Sequence, residues 1–162
     1  AFGVAVTAYA DGKVVVLEAE EYERTSYEEA LAKCWELWKR YNIKKAYIDA
    51  SATSFVKSFK LTLGERSDYE NVPREHWRYM KVQPVNFATR HKEMLSYLKT
   101  LIEGAYVRIP KDCDKLVVSL KTAFEQDGRL DKTVTAYDDI LDATRLAMLH
   151  FKSKQQEQTD LI

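Results

Sequence analysis

Cysteine is nearly absent: two residues in 162, Cys34 and Cys113, lie far apart and match no CxxC or zinc spacing. They read as reduced thiols packed in the fold, so disulfide, redox and zinc functions drop out. The three histidines are isolated. His76 and His91 have no partner at metal-ligand spacing, and His150 falls late in a helix, where it complements the carboxyl end. No apolar run approaches the roughly 20 residues of a membrane span, and the first residues lack the basic region and cleavage site of a secretion signal. A soluble, cytoplasmic protein is therefore expected. No charge of either sign is in excess, because Lys plus Arg and Asp plus Glu both number 25. Contact with a polyanion must then come from a local patch rather than a global field. There is no internal repeat, and no GxxxxGK[ST] loop to cradle nucleotide phosphates.

What remains is a chain with 46% hydrophobic residues, enough for one domain with a substantial core. "FGVAVTAYADGKVVVLEAEEYE" reads as a hairpin, because two runs rich in valine and aromatics flank Asp11-Gly12, a pair that accepts positive φ. Ser26 then caps a helix carrying Tyr27, Ala30, Leu31, Cys34, Leu37, Trp38 and Tyr41 at helical spacing. Trp35 and Trp38 on this helix read as core. A short strand, Ala46 to Ala50, ends near Asp49, and a second helix follows, with Ser51 or Thr53 as its cap and Gly64 as its stop.

"ERSDYENVPREHWRYMK" reads as a surface loop, and "VQPVNF" as an edge strand, since Pro84 cannot donate to a central ladder. Thr89 is expected to open a helix with Met94, Leu95, Leu98, Leu101 and Ile102 as its apolar stripe, ended by Gly104. "YVRIP" is extended, "DKLVVSLKTAF" helical, and "EQDGRLDKTVTA" a loop or hairpin leading into "YDDILDATRLAML". A strand hairpin followed by alternating helices and strands is an α/β pattern.

The last of these segments places Asp138, Asp139 and Asp142 within about a 100° arc of a helix, so their carboxylates can converge. An acidic first turn, with Asp138 as cap, explains them without any ligand. Asp49 favours a second explanation. An acid after a buried strand lies where open α/β sheets bind ligands, although a plain helix cap accounts for it too. Oxygen-only clusters suit Mg2+ or Mn2+, and two such ions hydrolyse phosphodiesters. "TRHK" sets Arg90, His91 and Lys92 in a first helical turn, where the dipole disfavours cations and a phosphate backbone would offset that cost. Arg78 and Lys81, beside Trp77, form a second basic and aromatic candidate for DNA. Solvated surface is the plain alternative for both.

"AYIDASATS", "VQPVNFATRHKEMLSYLKTLIEGAYVRIP", "DKLVVSLKTAF" and "YDDILDATRLAML" together resemble the C-terminal nuclease domain of the large terminase subunit of tailed viruses. The resemblance implies an RNase H-like α/β fold, a mixed β-sheet flanked by helices, over residues 1–152, with 153–162 as a polar tail. It implies a DNA endonuclease acting in genome packaging with two Mg2+ or Mn2+ ions. Asp49, Asp139 and Asp142 would be catalytic, and Asp138 a further acid at the metals. Double-stranded DNA, an ATPase domain, the small terminase subunit and the portal are the implied partners. The family's first catalytic aspartate ends a strand before the opening hairpin, and no such strand precedes Ala1. Three expectations follow: the chain is part of a longer polypeptide, another segment fills that central slot, or Ala1 to Tyr9 takes it. A resolvase or transposase core, or a non-catalytic DNA- or portal-binding domain of the same fold, stays open.

Overall fold

The computed structural model describes residues 2–63, 80–127 and 129–151. The chain divides into two compact units, the first made of residues 1–24 and 88–162 and the second of residues 25–87.

In the first unit, β1 (Phe2–Ala10) and β2 (Lys13–Tyr22) form the expected hairpin. Asp11 and Gly12 both adopt positive φ, 53° and 73°, the conformation that a tight two-residue turn requires. The ladder slips between Val6 and Thr7: Val6 pairs with Glu18 and Thr7 with Val16, leaving Leu17 as a bulge. The bulge reverses the inward parity of β2. Val14 and Val16 are buried before it, Ala19 and Glu21 after it. On the other side of β2, β5 (Val107–Arg108) adds a parallel strand.

Helix α3 (Phe87–Glu103) begins two residues before the expected Thr89, so Arg90, His91 and Lys92 lie beyond its first residues. Tyr97 joins its buried stripe, whereas Ile102, expected inward, is exposed. Helix α4 (Asp114–Thr122) and a small hairpin, β6 (Glu125–Gln126) and β7 (Arg129–Leu130), precede α5 (Asp138–Met148). The core joins Val14 and Val16 of β2, Leu98 and Leu101 of α3, Leu116 of α4, and Ile140, Leu141 and Met148 of α5. Cys113 packs in the same core, as a structural thiol should.

In the second unit, Ser26 accepts a hydrogen bond from the Glu29 amide at 3.2 Å and caps α1 (Tyr27–Tyr41). Ala30, Leu37 and Trp38 are buried, while Tyr27 is exposed and meets Phe55 edge-on. Strand β3 (Lys45–Asp49) runs parallel to β4 (Lys81–Val85), with Pro84 beside Ile48. Helix α2 is Thr53–Leu63. Ala52, not Ser51 or Thr53, stands at its cap position, with its carbonyl accepting from Val56.

Among the described residues β1 has one strand partner, β2, and β3 has one, β4. Gly64, His76, Trp77, Arg78 and the tail 153–162 lie outside the described residues. No helix among the described residues is long and apolar enough to cross a membrane.

Candidate functional site

The start of α5 is held by parts of the first unit remote in sequence. Tyr137 adopts the left-handed conformation at φ 51°, and its carbonyl accepts from the Ser119 hydroxyl of α4 at 3.0 Å. No side chain at the cap position bonds the helix, so the expected cap role of Asp138 is not realised; Asp138 is the first helical residue. The cap comes from β2 instead. Glu21 Oε1 accepts from the Ile140 amide at 2.9 Å, and the bulge at Leu17 is what turns this carboxylate inward. At the far end of α5, the Thr7 hydroxyl of β1 donates to the Ala147 carbonyl at 2.7 Å. The hairpin thus fixes the helix at both ends.

Asp138, Asp139 and Asp142 each offer a carboxylate oxygen, and these oxygens lie within 4.8 Å of one another. All three side chains are half-buried. Two cations compensate them. Arg145, with a side chain 0% exposed, places Nε 3.1 Å and Nη2 2.6 Å from Asp142 Oδ1. Lys132, in the turn after β7, reaches Asp142 Oδ2 at 2.8 Å and Asp138 Oδ2 at 3.4 Å. The carboxylate of Asp139 has no hydrogen-bond or ion-pair partner among the described residues. Burial, and then the charge of Asp138, hold its pKa above the ordinary aspartate range.

Glu21, only 7% exposed, is raised for the same first reason: burial outweighs the helix amides that favour its charged form, and Asp139 and Asp138 add repulsion. A carboxyl whose folded pKa exceeds its unfolded value binds more protons when folded, so its contribution to stability falls as pH rises between the two values. Glu21→Gln keeps an acceptor for Ile140 without the charge. Thermal unfolding of wild type and Glu21→Gln should coincide below the ordinary glutamate value of 4.5 and then diverge, with the variant the more stable towards neutral pH. Parallel profiles would contradict this.

Beside the cluster, Lys92, Arg129 and Lys132, with Asp127 and Asp131 among them, line an open cleft of about 760 Å³. Lys92 is therefore on a basic wall, with Arg129 and Lys132 as members that sequence reading missed. Arg90 is engaged by Glu93 at 3.1 Å. Burial first, and then the Arg145 guanidinium, lower the pKa of His91, which favours neutral imidazole. Lys81 is exposed on β4.

In the second unit, Asp49 ends β3 and is half-buried. Its Oδ1 accepts from the Ser51 amide at 3.0 Å, and its carbonyl from the Ala52 amide at 3.1 Å. These bonds shape the turn into α2 and fix where the strand-end carboxylate sits.

A donor set of carboxylate oxygens alone matches hard divalent cations rather than thiophilic ones. Asp139 and Asp138 have the capacity to take one without breaking the Arg145 pair, so the residues present fit such an ion.

Among solved structures, the large terminase nuclease from thermophilic phage G20c, with bound cobalt, is similar to this chain. The match has a TM-score of 0.55 and 14% identity, covering 90% of this chain and 79% of that one. At that identity the likeness concerns the fold, which is RNase H-like. No curated protein matches significantly. The family model described as the terminase RNaseH-like domain matches residues 1–151, and the chain belongs to that family.

Proposed function

We propose that this chain is the metal-dependent endonuclease domain of a DNA-packaging terminase, cutting concatemeric viral DNA by phosphodiester hydrolysis. The observation that carries the reading is the convergence of Asp138, Asp139 and Asp142 at the start of α5, in a chain of the terminase nuclease family. The cobalt bound by the phage G20c nuclease supports a divalent cofactor, for which Mg2+ or Mn2+ is the chemical match. Asp139 and Asp138 would hold the metal at the start of α5, while Asp142, braced by Arg145, orients the site; Asp49 is the further catalytic acid that membership of the family implies. A pair of such ions, when bound, supplies an activated water and neutralises the leaving oxygen. The chain's own cations have a separate task. Lys92 and Arg129 in the cleft bind flanking phosphates and set the duplex in register, without reading its sequence. Arg90, His91, Lys81 and Arg78 are the further DNA contacts expected from the sequence. The ATPase domain, small subunit and portal are the partners this role implies, in the cytoplasm of a host cell.

Nicking of supercoiled plasmid with Mn2+ or Mg2+ tests the reading. Asp139→Ala and Asp49→Ala should each reduce cleavage by about a hundredfold or more, since even residues that only orient ligands cost 10- to 100-fold. Wild-type protein that binds the plasmid and never nicks it would leave a non-catalytic binding domain as the answer.

A further inference from the structure

We propose that Lys132 is the resident counter-cation of the acidic helix start, displaced by a divalent ion and released into the basic cleft to bind a phosphodiester. This rests on the metal reading above and adds a coupling to it. The Lys132 ammonium lies 2.8 Å from Asp142 and 3.4 Å from Asp138, between carboxylates whose oxygens are within 4.8 Å of one another. A divalent ion entering that space meets a positive charge at contact distance, where repulsion is strongest. One of the two cations must give way.

The surroundings decide which. Arg145 is sealed in the core with two bonds to one oxygen of Asp142. Lys132 is 49% exposed and sits on a long flexible stem. The turn that carries Lys132 is itself pinned. Asp131 Oδ1 accepts from the Thr133 amide at 2.9 Å and its hydroxyl at 2.6 Å, and the Thr135 hydroxyl donates to the Asp131 carbonyl at 2.8 Å. Exchange therefore needs only rotation of one side chain. Lys132 already lines the cleft with Lys92 and Arg129, so the freed ammonium would join two other cations there. Metal loading would make the cleft more basic, and by reciprocity duplex DNA would tighten metal binding.

The test measures Mn2+ affinity by calorimetry, and affinity for a short duplex by anisotropy with and without Ca2+. It uses the wild-type chain, Lys132→Met, Lys132→Arg and the exposed control Lys99→Met, each verified as folded by circular dichroism. Lys132→Met should bind Mn2+ about tenfold more tightly, with Lys132→Arg and Lys99→Met near wild type. Ca2+ should strengthen duplex binding by the wild type and lose that effect in Lys132→Met. Unchanged or weaker Mn2+ binding by Lys132→Met overturns the proposal while leaving the metal site standing. Wild-type duplex affinity indifferent to Ca2+ overturns the release into the cleft. Failure of all variants to bind Mn2+ removes the metal reading itself, and the proposal with it.

Discussion

Asp142→Ala is expected to cost the first compact unit about 3 to 5 kcal/mol, because it removes the carboxylate that takes two bonds from the buried guanidinium of Arg145. The pair is asymmetric: Arg145 is 0% exposed and Asp142 16%, so the charge left behind has no route to water. Its contact with the His91 carbonyl, 3.5 Å from Nη1, lies at the limit of a hydrogen bond and carries no compensating charge. Lys132 loses its shorter partner in the same substitution. Urea unfolding of Asp142→Ala should show the loss directly. Arg145→Met in the same chain should recover much of it, since apolar replacement of a whole buried pair is often neutral or stabilising. That double variant is the proper test of Asp142 in catalysis. If it folds and nicks DNA normally, Asp142 is a structural anion; if it folds and fails to nick, the acid contributes to the chemistry. An Asp142→Ala protein as stable as wild type would contradict the argument.

Turn and cap chemistry made much of the fold legible in the sequence. Asp11-Gly12 specified the hairpin, Ser26 the start of α1, and Pro84 a strand with one partner among the described residues. The grouping of Asp138, Asp139 and Asp142 followed from helical spacing alone. What surrounds those acids did not. Simple alternation from Val14 and Val16 points Glu18, Glu20 and Tyr22 inward and Glu21 out. Only the bulge at Leu17, set by pairing with β1, reverses this and brings Glu21 to the helix amides. Arg145 was hidden differently. A charged residue late in a helix normally belongs to the solvated face, and its burial depends on an acid one turn earlier that is itself half-buried. Lys132 belongs to the site through a turn whose hydrogen bonds join residues 131 to 135, a geometry that leaves no periodic signal.

Gly3→Ala is expected to be as damaging as a typical core truncation, though Gly3 lies at the beginning of β1 and carries no chemistry. The requirement is space rather than backbone freedom. A Cβ at this position would stand 2.9 Å from the Ile140 amide nitrogen, and nearer still to the carbonyl of Asp139. Backbone atoms cannot rotate aside as a side chain would, and the first turn of α5 is fixed from two other directions. Glu21 holds the Ile140 amide, and Ser119 the Tyr137 carbonyl. One methyl group therefore forces apart the strand and the helix start, and with them the bond from Glu21. The cost should be about 3 kcal/mol, the upper end for overpacking, lowering the melting temperature by roughly 10 °C. The same displacement moves Asp139 relative to Asp138 and Asp142, so Mn2+ affinity should fall together with stability. A substitution that merely loosened the hairpin would lower stability alone. Gly3→Ala with a melting temperature within about 2 °C of wild type would show that the helix start yields easily, and the close approach of β1 to α5 would then have no part in setting the geometry of the three acids.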